Sequence, residues 1–194
     1  MRPLAMIPRE HHGRTVLRLL GDFPVVAVLG ARQVGMATLA QRVMGIHNGP
    51  AERFDLEDPT DLARLDDARH ALAGFRGMVV LDGIQDTPEM LNYVRAVIDR
   101  APAKKGRWLL AGSQEAPLMR GVTESMAGRA AVFQLLPLPA AENARVSLLR
   151  GGFPQVVSRT AAARTRFRSY VQTYPEQDVR AVSSIRDLAT SADS

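Results

Sequence analysis

Short apolar runs alternate with longer stretches of helical spacing along this chain, and this alternation constrains the fold more than any other feature. The runs are rich in Val, Leu, Ile and Ala and lie at residues 24–30, 77–82, 107–113 and 130–136, and the short stretch Arg53-Phe-Asp-Leu56 predicts a further strand. Runs that are apolar at consecutive positions are typical of strands buried on both faces of a parallel sheet. The stretches between them would then be crossover helices. The pattern predicts a three-layer α/β domain with a parallel sheet of about five strands.

The stretches between the runs carry signals for helix ends. Residues 36–44 predict a helix that is closed by Gly45 at its C-terminal end. Asp58-Pro59 and Thr87-Pro88 each place a capping side chain directly before a Pro, which is favoured at the first helical position. We therefore expect two further helices to begin at these dipeptides.

The last part of the chain has helical spacing and no apolar run. Residues 160–182 predict a helix that is interrupted near Pro175. The whole length of 194 residues suits one globular domain with an appendage. We expect the α/β domain to occupy residues 1–150 and a C-terminal helical extension to occupy residues 151–194.

Composition excludes several classes of protein. The chain has no cysteine, so it has neither disulfides nor thiolate metal sites, and its four histidines lack metal-ligand spacing. Its first twenty residues lack the apolar segment of a signal peptide. No segment approaches the ~18 consecutive apolar residues of a membrane span. These features favour a cytoplasmic protein without a membrane partner.

Positive charge is concentrated near the C-terminal end. The chain has 25 Lys and Arg against 20 Asp and Glu, a net charge of +5. A basic tail can bind nucleic acid electrostatically. The alternative is a solvated or partner-facing helix surface, diluted here by Glu176 and Asp178. The arginines concerned are Arg145, Arg150, Arg159, Arg164, Arg166, Arg168, Arg180 and Arg186.

A glycine-containing loop follows the first apolar run. The segment Gly30-Ala-Arg-Gln-Val-Gly35 has the glycine spacing of the phosphate-binding pattern G-x-x-x-x-G-K-[ST], between a predicted strand and a predicted helix. The next two positions depart from the pattern, because Met36 replaces the lysine and Ala37 replaces the hydroxyl residue. Thr38 has a hydroxyl, but one residue along a helix is a rotation of about 100°. The glycine frame is therefore present without its phosphate-neutralising and magnesium-binding side chains.

Two other predicted strands end in polar residues. The run at residues 77–82 ends in Asp82, the arrangement of a Walker B motif whose carboxylate holds magnesium. Gly83 follows it and has no side chain to orient or deprotonate water. Ser113 ends the next run. Because ligands of parallel sheets bind at the carboxyl ends of strands, these residues are expected at the same edge as the loop.

Several short stretches occur together in a fixed order, and they resemble the AAA-type P-loop ATPases of bacteria and archaea that carry a C-terminal domain of unknown function. The resemblance covers essentially the whole chain and implies a nucleotide-binding α/β fold. The stretches are Ile7-Pro-Arg9, Phe23-Pro-Val-Val26, Gly30 to Gly35, Asp55-Leu-Glu-Asp-Pro59, Leu81-Asp-Gly-Ile-Gln85, Leu110-Ala-Gly-Ser113, Ser125-Met-Ala-Gly-Arg129, Gly151-Gly-Phe-Pro154 and Tyr174-Pro-Glu-Gln-Asp-Val-Arg180.

The resemblance implies a role for individual residues. Asp82 would bind magnesium and Ser113 would sense the terminal phosphate. Arg129 would be a charge near the nucleotide or a neighbouring subunit, with a structural ion pair as the alternative. Arg32 would replace part of the lost lysine charge, unless it is structural. The phosphates of ATP would lie against Gly30, Ala31, Arg32, Gln33, Val34, Gly35, Met36, Ala37 and Thr38.

Departures from the family pattern determine the expected function. The family has Gly-Lys-Thr-Thr where this chain has Gly35-Met-Ala-Thr38, and it has glutamate at the position of Gly83. Its late motif is altered at Pro175 and Gln177, and we expect a shortened chain because the sequence stops soon afterwards. The main hypothesis is an AAA-type ATPase homologue with degenerate motifs, in which ATP with magnesium binds weakly or not at all and is not hydrolysed.

Two other hypotheses remain open. In the first, the chain is a non-catalytic interaction module that binds itself, an active paralogue, or nucleic acid through its basic end. In the second, it is an ATPase with an unusual site that uses Arg32 and Thr38 as substitutes.

Overall fold

The fold is described from a computed structural model of the 194-residue chain. It covers residues 7, 9–65, 67, 71–72, 75–87, 89–113, 121–122, 124, 126–147 and 151–158. By its contacts the chain divides into two compact units, with the boundary between Leu136 and Pro137. The larger unit contains the sheet.

A parallel sheet of five strands confirms the predicted fold class. All five predicted strands form, and their spatial order is β2-β3-β4-β1-β5. The central strands β1, β3 and β4 are almost fully buried, which explains their uninterrupted apolar sequence. The bounds are Val25–Gly30 for β1, Ala51–Asp55 for β2, Met78–Asp82 for β3, Trp108–Ser113 for β4 and Ala130–Leu135 for β5.

The helices cover both faces of the sheet. On one face, α1 and α2 pack with Val26, Val28 and Val80. On the other face, α3 and α4 pack with Leu29 and Leu81. β1 leads to β2 on one side and β4 leads to β5 on the other, so the chain reverses its direction along the sheet between these neighbouring strands, and ligands of such sheets bind at the carboxyl ends of strands at this point. The helices are α1 (Glu10–Asp22), α2 (Met36–Ile46), α3 (Pro59–Leu65) and α4 (Glu89–Arg100).

The predicted helix starts are confirmed at α3 and α4, but the predicted end of α2 is wrong. Asp58 caps α3 by accepting a hydrogen bond from the Thr60 N–H at 2.8 Å. Gly45 lies inside α2, which ends one residue later at Ile46. The reason is packing between helices, because the end of the Ile46 side chain lies against Gly13 of α1. Tertiary contact therefore carries the helix past a residue of low helix propensity.

The smaller unit contains the start of the expected C-terminal extension. Its described part includes a bridge between Ser147 and Gly151 and a short helix α5 (Pro154–Ser158), in which Val156 and Val157 are buried. The predicted helix at residues 160–182 lies outside the described residues. The division at Leu136 falls earlier in the chain than the expected boundary at residue 150.

Candidate functional site

The loop after β1 has the backbone geometry of an anion-binding turn. Gln33 and Gly35 both have positive φ, 64° and 102°, on either side of Val34, whose side chain is buried in the core. Alternation of this kind points successive N–H groups into a concavity that favours anions. Gly35 is also the N-cap of α2, and neither a capping side chain nor an acidic residue satisfies the first turn of that helix. The loop with the helix start therefore fits a phosphate group.

The side chains at the start of α2 do not add to this cradle. Met36 is half-buried and packs against the apolar cluster beneath α1 and α2, so its thioether serves the core. Ala37 is exposed and has no side-chain oxygen. Thr38 is half-buried one position further on. The structure thus supplies main-chain donors here without a lysine charge or a hydroxyl at residue 37.

Asp82 lies at the carboxyl end of β3, on the face of the sheet that carries α2. One oxygen of its carboxylate, Oδ2, accepts two hydrogen bonds from Arg53 on β2, at 2.6 Å from Nη2 and 3.2 Å from Nε. Arg53 Nη2 also donates to Asp55 at 2.9 Å. Burial lowers the pKa of Arg53, but the hydrogen bonds and charges of Asp82 and Asp55 outweigh it and raise that pKa above its ordinary value.

Sequence reasoning missed Arg53. The available signal is the alternation Arg53-Phe54-Asp55, which places Arg53 and Asp55 on one face of a strand while Phe54 enters the core on the other.

Gly83 has a left-handed backbone conformation, with φ of 82°. Its N–H donates to the Ala111 carbonyl of β4 at 2.9 Å. The residue next to it in space is Glu57, from the turn after β2. A carboxylate from another loop therefore lies beside the position where the family pattern places its glutamate.

Ser113 is buried at the end of β4 and lies opposite Gly30 in the register of β1 and β4. Its main-chain N–H donates to Gln85 Oε1 at 3.1 Å. The Nε2 of Gln85 donates in turn to Glu57 at 3.4 Å. The structure thus brings Gly30, Asp82 and Ser113 to one edge of the sheet, as predicted.

Arg129 lies elsewhere. It directly precedes β5 and pairs with Asp99 near the end of α4, with 2.7 Å between Nε and Oδ1. Both positions belong to the amino edge of the sheet, opposite the loop. Within its own chain Arg129 forms a structural ion pair, and it is not near the candidate phosphate site.

The residues at the carboxyl edge do not fit a magnesium ion, which needs several oxygen ligands. Oδ2 of Asp82 is engaged by Arg53, and residue 37 has no side-chain oxygen. The two oxygens of Asp55 accept hydrogen bonds from the Glu57 N–H and from Arg53. Within the described ranges no group of three or more His, Asp or Glu residues could hold a metal ion.

The structure describes only part of what bears on two further predictions, the basic C-terminal end and the cytoplasmic location. Of the basic C-terminal residues, Arg145 is described and exposed, whereas the others lie outside the described residues. In the described part of the chain, no helix has the length and apolar character needed to cross a membrane. A cytoplasmic location stays a prediction.

Comparison with curated proteins finds mycobacterial relatives. Uncharacterized proteins of Mycobacterium bovis (Mb2031c) and Mycobacterium tuberculosis (Rv2008c) are each 32% identical to this chain over 180 residues, which is 90% of the chain. The chain spans 40% of the length of these relatives.

Comparison with solved structures and family models agrees with the fold. The Walker-type ATPase PABY2304 of Pyrococcus abyssi has a TM-score of 0.57 at 14% identity, over 96% of this chain and 74% of the other. Residues 141–193 match a domain of unknown function (DUF8612). Residues 22–144 match the family described as AAA domain, and they include every strand of the sheet and the whole candidate site. The chain therefore belongs to the AAA domain family of P-loop ATPases.

Proposed function

We propose that this chain is an AAA-type domain that does not hydrolyse ATP and holds phosphate groups weakly, through main-chain N–H groups. AAA domains generally bind ATP with magnesium. The observation that carries the proposal is an intact loop backbone in which Met36, Ala37 and Gly83 stand where lysine, hydroxyl and glutamate side chains are required. The three replacements affect phosphate charge, metal binding and water activation, which are separate parts of one mechanism.

The three replacements are expected to reduce the rate of hydrolysis more than the affinity for ATP. A hydrogen bond to a charged group contributes roughly 1.5–3 kcal/mol, so replacement of lysine by Met36 weakens binding by about one to two orders of magnitude. A general base contributes roughly 10²–10⁴-fold to the rate, and Gly83 supplies none. Binding is therefore weakened while hydrolysis loses both its base and its charge stabilisation.

The test measures ATP binding and phosphate release by the purified chain beside restored variants. Met36→Lys/Ala37→Thr restores the loop, and the same pair with Gly83→Glu and Glu57→Ala restores the glutamate with space for its side chain. We expect the double variant to bind ATP at least about tenfold more tightly than the original chain. Phosphate release by the original chain should equal that of a no-protein control.

Other outcomes favour the other hypotheses. Turnover by the original chain at the rate of the fully restored variant would contradict the proposal and favour an ATPase that uses Arg32 and Thr38. ATP binding without turnover, with an active paralogue captured in the presence of ATP, would favour an interaction module. Nucleic-acid binding through the basic end would require a steep loss of affinity with added salt.

A further inference from the structure

The strongest unexplained contact at the carboxyl edge joins Arg53 to Asp82. The side chains are only 26% and 13% exposed, and the guanidinium meets the carboxylate through both Nη2 and Nε. β2 and β3 pair in parallel with Asp55 opposite Asp82, so the strand register itself sets Arg53 beside this carboxylate. The pair is thus built into the sheet.

We infer that Arg53 takes the place of a divalent cation at Asp82, so that the phosphate site of this chain works without magnesium. The ligand class that follows is a phosphate ester or polyphosphate that is not chelated to a metal. The identity of the anion in this inference rests on the proposed function. The replacement of the metal by Arg53 is inferred from the ion pair with Asp82 and does not depend on that function.

Charge at the site supports the replacement. A guanidinium is always protonated, and here two of its N–H groups donate to Oδ2 of Asp82, so it supplies the positive charge that this carboxylate would otherwise take from a metal. A divalent cation approaching Asp82 would have to compete with the guanidinium already paired with this carboxylate. Removal of Arg53 would leave an unpaired carboxylate of low exposure, which is a costly arrangement.

The neighbouring carboxylates do not offer a metal site in its place. Asp61 accepts hydrogen bonds from the Asp55 N–H and from Arg64, each at 2.9 Å. Glu52 also pairs with Arg64. The carboxylates of Glu52 on β2 and Asp61 on α3 are therefore already paired with N–H donors of the chain itself.

The chain offers a matched control in Arg64. Its guanidinium lies 4.7 Å from the centre of the Phe54 ring and pairs with Asp61 and Glu52, so it contacts α3 and the strand that carries Arg53, and none of these contacts is with Asp82. Arg64→Ala removes an arginine from the network without uncovering Asp82.

The test is thermal unfolding of the full chain in magnesium chloride and in EDTA with sodium chloride, at matched ionic strength. For the original chain, and separately for Arg64→Ala, we expect the Tm in magnesium chloride to equal the Tm in EDTA with sodium chloride. Arg53→Ala should unfold at a lower Tm, and magnesium should restore part of that loss because Asp82 is then uncovered. Magnesium should not raise the Tm of Arg53→Ala/Asp82→Asn, which lacks the Asp82 carboxylate.

Two outcomes would overturn the inference. One is a rise in Tm with magnesium that is as large for the original chain as for Arg53→Ala. The other is an Arg53→Ala variant whose Tm does not change with magnesium.

Binding of a fluorescent ATP analogue provides the second measurement. We expect its affinity for the original chain to be the same with magnesium and with EDTA, whereas Arg53→Ala/Ala37→Thr should gain about tenfold in affinity from magnesium. A tenfold gain in the original chain would overturn the inference. If no analogue binds in either medium, the proposed phosphate site fails, and the unfolding experiment still decides whether Arg53 replaces the metal.

Discussion

A Cβ atom on Gly83 would lie 3.2 Å from Cγ of Glu57. The glutamate that follows β2 therefore fills the space into which a side chain at residue 83 would begin to extend. The φ of 82° at Gly83 adds a second obstacle, because L side chains rarely adopt this conformation. A glutamate at residue 83 would therefore require Glu57 to move and the backbone to adopt a strained conformation.

Gly83→Glu should destabilise the domain. The left-handed backbone costs a side-chain-bearing residue roughly 1–2 kcal/mol, and the new carboxylate would lie against that of Glu57. Urea unfolding monitored through Trp108, the one tryptophan of the chain, measures the loss.

Two variants separate the causes of this loss. Gly83→Asn should cost less, since Asn tolerates positive φ. Glu57→Ala/Gly83→Glu should recover the part due to crowding. A Gly83→Glu variant as stable as the original chain would show that the turn can rearrange at no cost.

Met36→Lys should tighten ATP binding by about one to two orders of magnitude, because it returns a charged donor to the loop. Some stability should be lost, since Met36 packs against the core cluster of α1 and α2. Calorimetric titration gives the affinity, and Met36→Gln is the control that removes the same packing without adding charge. Equal affinities for the Lys and Gln variants would contradict the prediction.

Asp61 should contribute to acid sensitivity. The hydrogen bond from the Asp55 N–H, aided by Arg64, lowers the pKa of Asp61 below its ordinary value of 3.8. A lowered folded-state pKa gives stability that is present above pH 3.8 and is lost as the pH falls through the folded value. Asp61→Asn should therefore be less stable than the original chain near neutral pH, and the difference should shrink below pH 3.8.

Denaturant unfolding across a pH series measures this difference. Arg64→Gln should keep part of the pH dependence, because the largest single cause of the lowered pKa of Asp61 is the backbone donor, and Arg64 adds to it. An unchanged dependence in Asp61→Asn would assign the acid sensitivity to other carboxylates.

Arg129→Ala should have little effect. Its pair with Asp99 is 40% and 46% exposed, and exposed pairs contribute roughly 0.2–1 kcal/mol. Since the pair lies at the amino edge of the sheet, affinity for ATP should stay within about twofold of the original. A larger loss of affinity, measured by the same titration, would return Arg129 to the site, for example through a neighbouring subunit.

The sequence was sufficient to predict the sheet because β1, β3 and β4 are buried on both faces and therefore apolar throughout. It was also sufficient for the edge that gathers Gly30, Asp82 and Ser113, since parallel strands end together. It could not give the length of α2, because the contact of Ile46 with Gly13 depends on the packing of two helices.

Arg53 shows why part of the site escaped prediction. An arginine on a short strand carries no signal for its partner until the neighbouring strand and the register are known. β2 lies beside β3, and only this pairing sets Arg53 next to Asp82. The same holds for Glu57 and Gly83, which belong to separate loops.

The side chain of Gln85 forms hydrogen bonds that connect the ends of β2, β3 and β4. Its side chain reaches Glu57 after β2 and Ser113 at the end of β4, while its own segment follows β3. ATPases that couple nucleotide binding to motion change the conformation of this edge between functional states. Here a change that separates these strand ends would break the two hydrogen bonds of Gln85. The side chain of Gln85 thus favours a single arrangement of the ends of β2, β3 and β4.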